Sequence, residues 1–373
     1  MTPSARARLL LTAAGVAAGV TGRILLDLPA AVEWHRATLF PLVCAALQPV
    51  FGASTSSIGE VVAMIVIAVA ILALVRAPRR ASAPLAAFAG LLVFAFYASW
   101  GLAYQYPALS NRLSPAPEAA DRADAAKNLT RMAERSARLV ALLTPETASA
   151  VPDAELLARI NLGVEGGYAQ LPAPLDAANL RAVRFGPTKL SRVSLALTHL
   201  NISGYYFPWT GEAHINEAMP RSEWARVAAH ERAHQRGFAR ENEATVMGVL
   251  ACLASGDPEV RYSGALGLFV SFDRDVARIG AEARKALWDL LPARAADDLR
   301  AESAFWKAHE GAPARVSEKV NDTYLKAQGV TTGVASYSET TRLFLQAMET
   351  EGIAATSHEA ASAFEWEAAR PRR

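Results

Sequence analysis

From Ala81 to Tyr104 the chain carries no charge, and its core reads PLAAFAGLLVFAFYASWGLAY. A helix needs about 20 mostly apolar residues to cross the hydrocarbon layer, so this run specifies a membrane span. IGEVVAMIVIAVAILALV, from Ile58 to Val75, is long enough for a second, with Glu60 at one end where it reaches the interface or other helices. A first span is expected from Leu9 to about Leu28, interrupted by Arg23 and Asp27 at a spacing that lets them pair. Arg6 and Arg8 before a short apolar core would also suit a cleaved secretory signal. No small-x-small cleavage site opens a soluble domain there, and AVEWHRATLFPLVCAALQPVFG, which follows, is itself amphipathic. The expectation is therefore an uncleaved anchor and three spans.

Lys and Arg concentrate in cytoplasmic loops. RAPRRASAP, between the second and third spans, holds Arg76, Arg79 and Arg80, and the N-terminus holds Arg6 and Arg8. Both should be cytoplasmic, which puts everything after Tyr104 outside a plasma (inner) membrane. Trp100, Tyr104 and Tyr106, near the span end, are expected to be interfacial anchors.

The Pro/Ser/Asp-rich stretch over residues 106–120 reads as a linker, and residues 121–373 as one mainly helical domain. Asn201 to Pro220 is the exception, where aromatics, Gly and Pro punctuate a short strand or hairpin. A net charge of +2 without long like-charged blocks gives no reason to expect nucleic-acid binding. Cys44 and Cys252 lie in segments of different character and indicate neither a disulfide framework nor a cysteine metal site.

AAHERAHQRGFARENEATV, residues 228 to 246, holds two of the chain's seven histidines. On a helix starting near Ser222, His230 and His234 lie about 40° apart around the axis and about 6 Å along it, so both imidazoles can reach one cation. Glu231 beside them could take a proton from an attacking water. The plain alternative is a solvated, charged helix face. A catalytic zinc site also needs a third protein ligand and an open position. On an unbroken helix Glu241 would lie about 10 Å beyond His234, too far for a common ion. A chain reversal at Gly237 would let Glu241 point back from the first turn of a new helix, with Glu243 in reserve.

AAHERAHQRGFARENEATVMGVLACLASGDPEVRYSGAL, with SGYYFPWTGEAHIN upstream and VNDTYLKAQGVTTGVASY downstream, resembles an uncharacterised bacterial membrane family, a domain of unknown function. Its members look like three-span proteins with an outward zincin-type domain. Glu241, Ala244 and Thr245 resemble the ExxA(D/N) signature of gluzincins, in which the leading Glu binds zinc. The resemblance implies Zn2+ held by His230, His234 and Glu241, with Glu231 as base. The chain departs from the pattern in its short spacing, in Thr245 where Asp or Asn is usual, and in Arg232 between the histidines, which should face away from the metal.

Gly211, Glu212 and Ala213 could form the cleft's edge strand, whose unpaired backbone binds an extended peptide. An ordinary core hairpin is the equal alternative. His214 in the same strand is expected to be structural. Arg261, Tyr262, Tyr324 and Tyr337 are candidates for stabilising a tetrahedral oxyanion, each with a structural role as the simpler reading. The expected fold class is a membrane α-helical N-terminal part with three spans plus a mainly-α, zincin-like α+β domain with a small β element. The expected function is a membrane-anchored zinc metallopeptidase whose partners are the bilayer and a peptide substrate. A non-catalytic scaffold retaining the fold is the main rival; a transporter is disfavoured because Glu60, Arg23 and Asp27 are too few for an ion pathway.

Overall fold

The computed structural model describes residues 3–113, 122–145, 150–172, 175–178, 180, 183–328 and 337–349. The N-terminal part comprises α1 (Pro3–Ile24), α2 (Pro29–Trp34), a π-turn (His35–Leu39), α3 (Phe40–Phe51), α4 (Ile58–Arg76) and α5 (Pro78–Ser99). There follow α6 (Arg122–Leu143), α7 (Asp153–Gln170), β1 (Lys189–Leu190), α8 (Ser194–His199), β2 (Gly204–Phe207) and β3 (Glu212–Ile215). The rest is helical: α9 (Arg221–Gln235), α10 (Glu241–Leu253), α11 (Pro258–Ile279), α12 (Ala281–Trp288), α13 (Ala293–Ala308), α14 (Ala312–Ala327) and α15 (Tyr337–Glu349).

By length and composition α4 and α5 could each cross a membrane, and Leu9–Ile24 with Pro29–Phe51 would make a third span bent by 89° if taken as one. Among the described residues, α1 packs along α5 through small side chains. Gly15 faces Ala87, Gly19 faces Gly90 and Val93, and Gly22 faces Phe94 and Tyr97. A Cβ on Gly15 would run into the Ala87 backbone, so this close approach requires glycine. The numbering rises together on both helices, which makes them parallel, while α4 runs the other way. The Arg76–Arg80 turn and the start of α1 therefore share the end remote from the sheet and α9.

α2 to α3 turn away from the axis of α1 and dock on the domain. His35, Phe40, Cys44 and Gln48 are buried, and the Gln48 amide donates to the Gly211 carbonyl while accepting from Gly186 N. Phe40 and Cys44 share a core with Tyr97, Trp100, Tyr104, Tyr106, Ala239 and Leu325. This corrects the expectation that Trp100, Tyr104 and Tyr106 are interfacial anchors. Their polar tips are satisfied inside the protein, which removes the pull toward the water layer: Trp100 Nε1 donates to the His234 carbonyl, and the Tyr106 hydroxyl pairs with His35 Nδ1. Of the expected linker, residues 106–113 are packed on the domain, with Tyr106, Leu109 and Leu113 buried. Residues 114–120 lie outside the described residues.

The larger core joins α9, α10 and α11 with α6, α7 and α15, around Trp224, Tyr262, Phe269 and Phe272. The expected hairpin is present as the antiparallel pair β2–β3, with β1 added parallel to β3. β3 is thus the central strand, in the order β1-β3-β2. This corrects the assignment of Gly211, Glu212 and Ala213 to a substrate-binding edge. The reason is a buried charge that needs partners: the Glu212 carboxylate takes the Lys189 ammonium at 2.5 Å and accepts from Ile58 N and Gly59 N at the start of α4. The edges belong to β1 and β2.

Candidate metal centre

α9 ends where the sequence supplies a residue free to take a left-handed conformation. Gly237 has φ of 85°, Gly237 N donates to the His234 carbonyl and Phe238 N to the Ala233 carbonyl. This double closure is the Schellman arrangement, which caps two carbonyls and turns the chain back. Arg240 is extended and α10 starts at Glu241. The two helices then cross closely at Gly248, where a Cβ would lie 2.8 Å from His230 N. Reversal and close crossing together return Glu241 to the histidine face.

There His230 Nε2 lies 3.0 Å from Glu241 Oε2, and His234 Nε2 lies 3.8 Å from the same oxygen. One ligand atom from each of the three residues falls within 4.8 Å of the others. Tetrahedral zinc with bonds near 2.1 Å holds its ligands roughly 3.4 Å apart, so the cluster is close to the required spacing. The rings stand edge to face at 86°. Each histidine's other nitrogen is engaged: His234 Nδ1 with the Phe238 carbonyl at 2.7 Å, and His230 Nδ1 with Thr245 Oγ1 at 3.3 Å. Thr245 in turn donates its hydroxyl proton to the Glu241 carbonyl, leaving its oxygen to accept from His230. Such outer partners fix tautomer and ring orientation. Glu241 is 44% exposed, which leaves an approach for water or substrate. The donor set fits a divalent cation of zinc type.

Thr245 thus fills the place where the resembling signature has Asp or Asn, with a hydroxyl as acceptor in place of a carboxylate or amide oxygen. Thr245→Val keeps the shape and removes the acceptor. With zinc in the cluster, as proposed below, the variant is expected to bind it about 10-fold more weakly, measured by competition with a chelator of known strength, because losing an outer-shell partner costs 10–100-fold.

The Glu231 carboxylate is buried against β2, where a Cβ on Gly204 would lie 2.9 Å from Oε1. Burial pushes Glu231 up to about 7, against the pull of both imidazoles and with the push of Glu241. His234 is drawn down by burial but lifted more by Glu241, to about 9. Against partial desolvation, Glu241 is held well below the usual carboxylate range by the two histidines. These groups share protons tightly, and a cation bound among them would release a proton.

The other candidates divide. Glu243 accepts from Arg240 Nη1 and Leu109 N, both at 2.9 Å, and takes no part in the cluster. Arg232 is buried on Glu165 and the Asn161 carbonyl, facing away as expected. His214 stacks on Tyr205 at 4.5 Å and reaches Ser57 Oγ, a structural role. Tyr262 is committed to Asp298 at 2.7 Å, under the Arg294 guanidinium, and Arg261 precedes it on α11; neither is brought to the histidines. The Tyr337 side chain lies outside the described residues. Tyr324 is removed from the cluster, beside Tyr104, whose neighbour Trp100 meets the His234 ring. Its ring meets Tyr104 edge-on at 5.9 Å, and both phenols are raised above their ordinary range, chiefly by burial and further by the Glu241 charge. Tyr104 and the Trp100 contact to His234 were not legible beforehand, because aromatics at a span end ordinarily signal the lipid interface.

A mostly helical chain with two to three apolar helices and a small three-stranded sheet fits a helical membrane protein. The chain belongs to the family described as "Protein of unknown function (DUF3810)", whose profile matches residues 35–345. No curated protein and no solved structure matches it significantly.

Proposed function

We propose that the chain is a membrane-anchored, zinc-dependent metallopeptidase of zincin type, its catalytic domain on the outer side of the plasma membrane. The observation that carries this reading is the convergence of His230, His234 and Glu241 within 4.8 Å across the Gly237 reversal. The orientation rests on Arg76, Arg79 and Arg80 lying at the end remote from the domain, where positive residues favour the cytoplasm.

His230, His234 and Glu241 would hold the ion, leaving one position open. Zinc held there would supply Lewis acidity, polarising a peptide carbonyl and making water acidic enough to attack near neutral pH. Glu231 would accept the proton released as that water attacks and deliver it to the leaving amine. Tyr324, beside Tyr104, would donate to the oxyanion.

Glu231→Gln removes the proton acceptor and keeps the ligands. Zinc content and melting temperature are expected to stay at the parent values while hydrolysis of a fluorogenic peptide library falls by about 10²–10⁴-fold. A zinc-loaded parent that cleaves the library no faster than this variant would end the hydrolase reading and favour a scaffold.

A further inference from the structure

The candidate centre sits at the membrane end of the domain. Trp100, one residue beyond α5, donates to the His234 carbonyl at 3.0 Å and stands edge-on to its ring. In the turn that joins β2 and β3, Trp209 Nε1 donates to the Leu92 carbonyl. Leu92 is seven residues before Ser99, so the hairpin tip reaches roughly 10 Å down the side of the span, the depth at which aromatic belts lie. At the start of α4, Ser191 and Arg192 N bind the Glu60 carboxylate, which sets Val193 and Leu195 beside that span.

Several side chains left outside this contact zone are large and apolar, beside the exposed Glu33 and Arg192. Leu195 is 74% exposed, Leu42 62%, Val50 59% and Trp34 56%. The π-turn and α3 direct His35, Phe40, Cys44 and Gln48 toward the domain, so the exposed Leu42 and Val50 of α3 face the opposite way. A helix whose inner face is buried and whose outer face is apolar, continuous with membrane-crossing helices, lies in the lipid interface. The occupant of this surface is the bilayer.

We infer that the domain is seated in the outer headgroup layer and that its metal centre acts on peptide bonds presented at the bilayer surface, in segments flanking a membrane anchor. This rests on the hydrolase reading above. A bond in a compact soluble protein would have to enter the headgroup layer to reach His230 and Glu241. An extended segment next to an anchor is already there, and tethering raises its effective concentration.

The full-length protein in nanodiscs, loaded with zinc, tests this with one cleavable peptide sequence in three forms: free, acyl-anchored through a 3-residue spacer, and acyl-anchored through a 30-residue spacer. The close-anchored form is expected to be cut roughly 10²-fold faster than the free one, with the long spacer between them and Glu231→Gln inactive on all. Equal rates for free and anchored forms would overturn the inference and leave the hydrolase reading intact. No cleavage of any form by the parent would overturn both. Spin labels at Leu42→Cys and Leu195→Cys, outside the metal site, read the seating without catalysis. Greater accessibility to oxygen than to a water-soluble nickel chelate is expected, and the reverse order overturns the inference.

Discussion

Glu241→Ala in the full-length protein is expected to lose zinc, and Glu243→Ala to keep it. The two carboxylates are two residues apart on α10, yet the fold gives them different tasks. Glu241 Oε2 faces both imidazoles, whereas Glu243 is buried on Leu109 N and Arg240. Removing a ligand should weaken binding beyond the 10–100-fold seen for outer-shell partners, so Glu241→Ala purified with equimolar zinc should retain little of it. Glu243→Ala leaves a buried N–H without an acceptor, a cost of about 1–3 kcal/mol. It should lower the melting temperature while metal content, read by elemental analysis, stays near one per chain. The reverse pattern would make the cluster a fortuitous ion-pair network. The experiment needs the whole chain, because Phe40, Tyr97 and Trp100 share a core with Ala239 and Leu325, and the domain cut off near residue 119 would expose that core.

What could be read beforehand follows from what is local. Uncharged runs give α4 and α5, and the Gly237 break gives the reversal, since a glycine between two helical patterns marks a left-handed cap. The reversal is also what separates Glu241 from a position about 10 Å up an unbroken helix. Contacts between distant segments were not local. Thr245 reads as a departure from a signature until its hydroxyl is found on His230. β1 is two residues long and carries Lys189, with no alternation to reveal it, so β3 passed for an edge. The face of α3 that carries Phe40 and Cys44 is apolar like the rest of the helix, and its partner, the part of the domain around Ala239 and Leu325, is written elsewhere in the chain. Tyr104 needs the same knowledge, and in its absence the lipid interface is the ordinary reading of its position.

The central place of β3 gives Glu212→Ala a large expected effect of a different kind. Lys189 has no exposed side-chain surface and its ammonium is held by Glu212, the Phe51 carbonyl and the Ser56 carbonyl. The same carboxylate accepts from Ile58 N and Gly59 N and from Thr210 Oγ1, tying the sheet to the first turn of α4. Truncating it leaves a buried cation short of its counter-charge and two helix-start N–H groups without an acceptor. Breaking one side of a buried pair costs about 3–5 kcal/mol, a fall in melting temperature on the order of 10 °C for a domain of this size. Glu212→Ala combined with Lys189→Met removes the orphaned charge and should recover part of that loss. Had Glu212 belonged to a substrate-binding edge, the single variant would raise KM at unchanged stability. Thermal unfolding in detergent alongside peptide-cleavage kinetics separates these outcomes, and a stable variant with a raised KM would return β3 to the cleft.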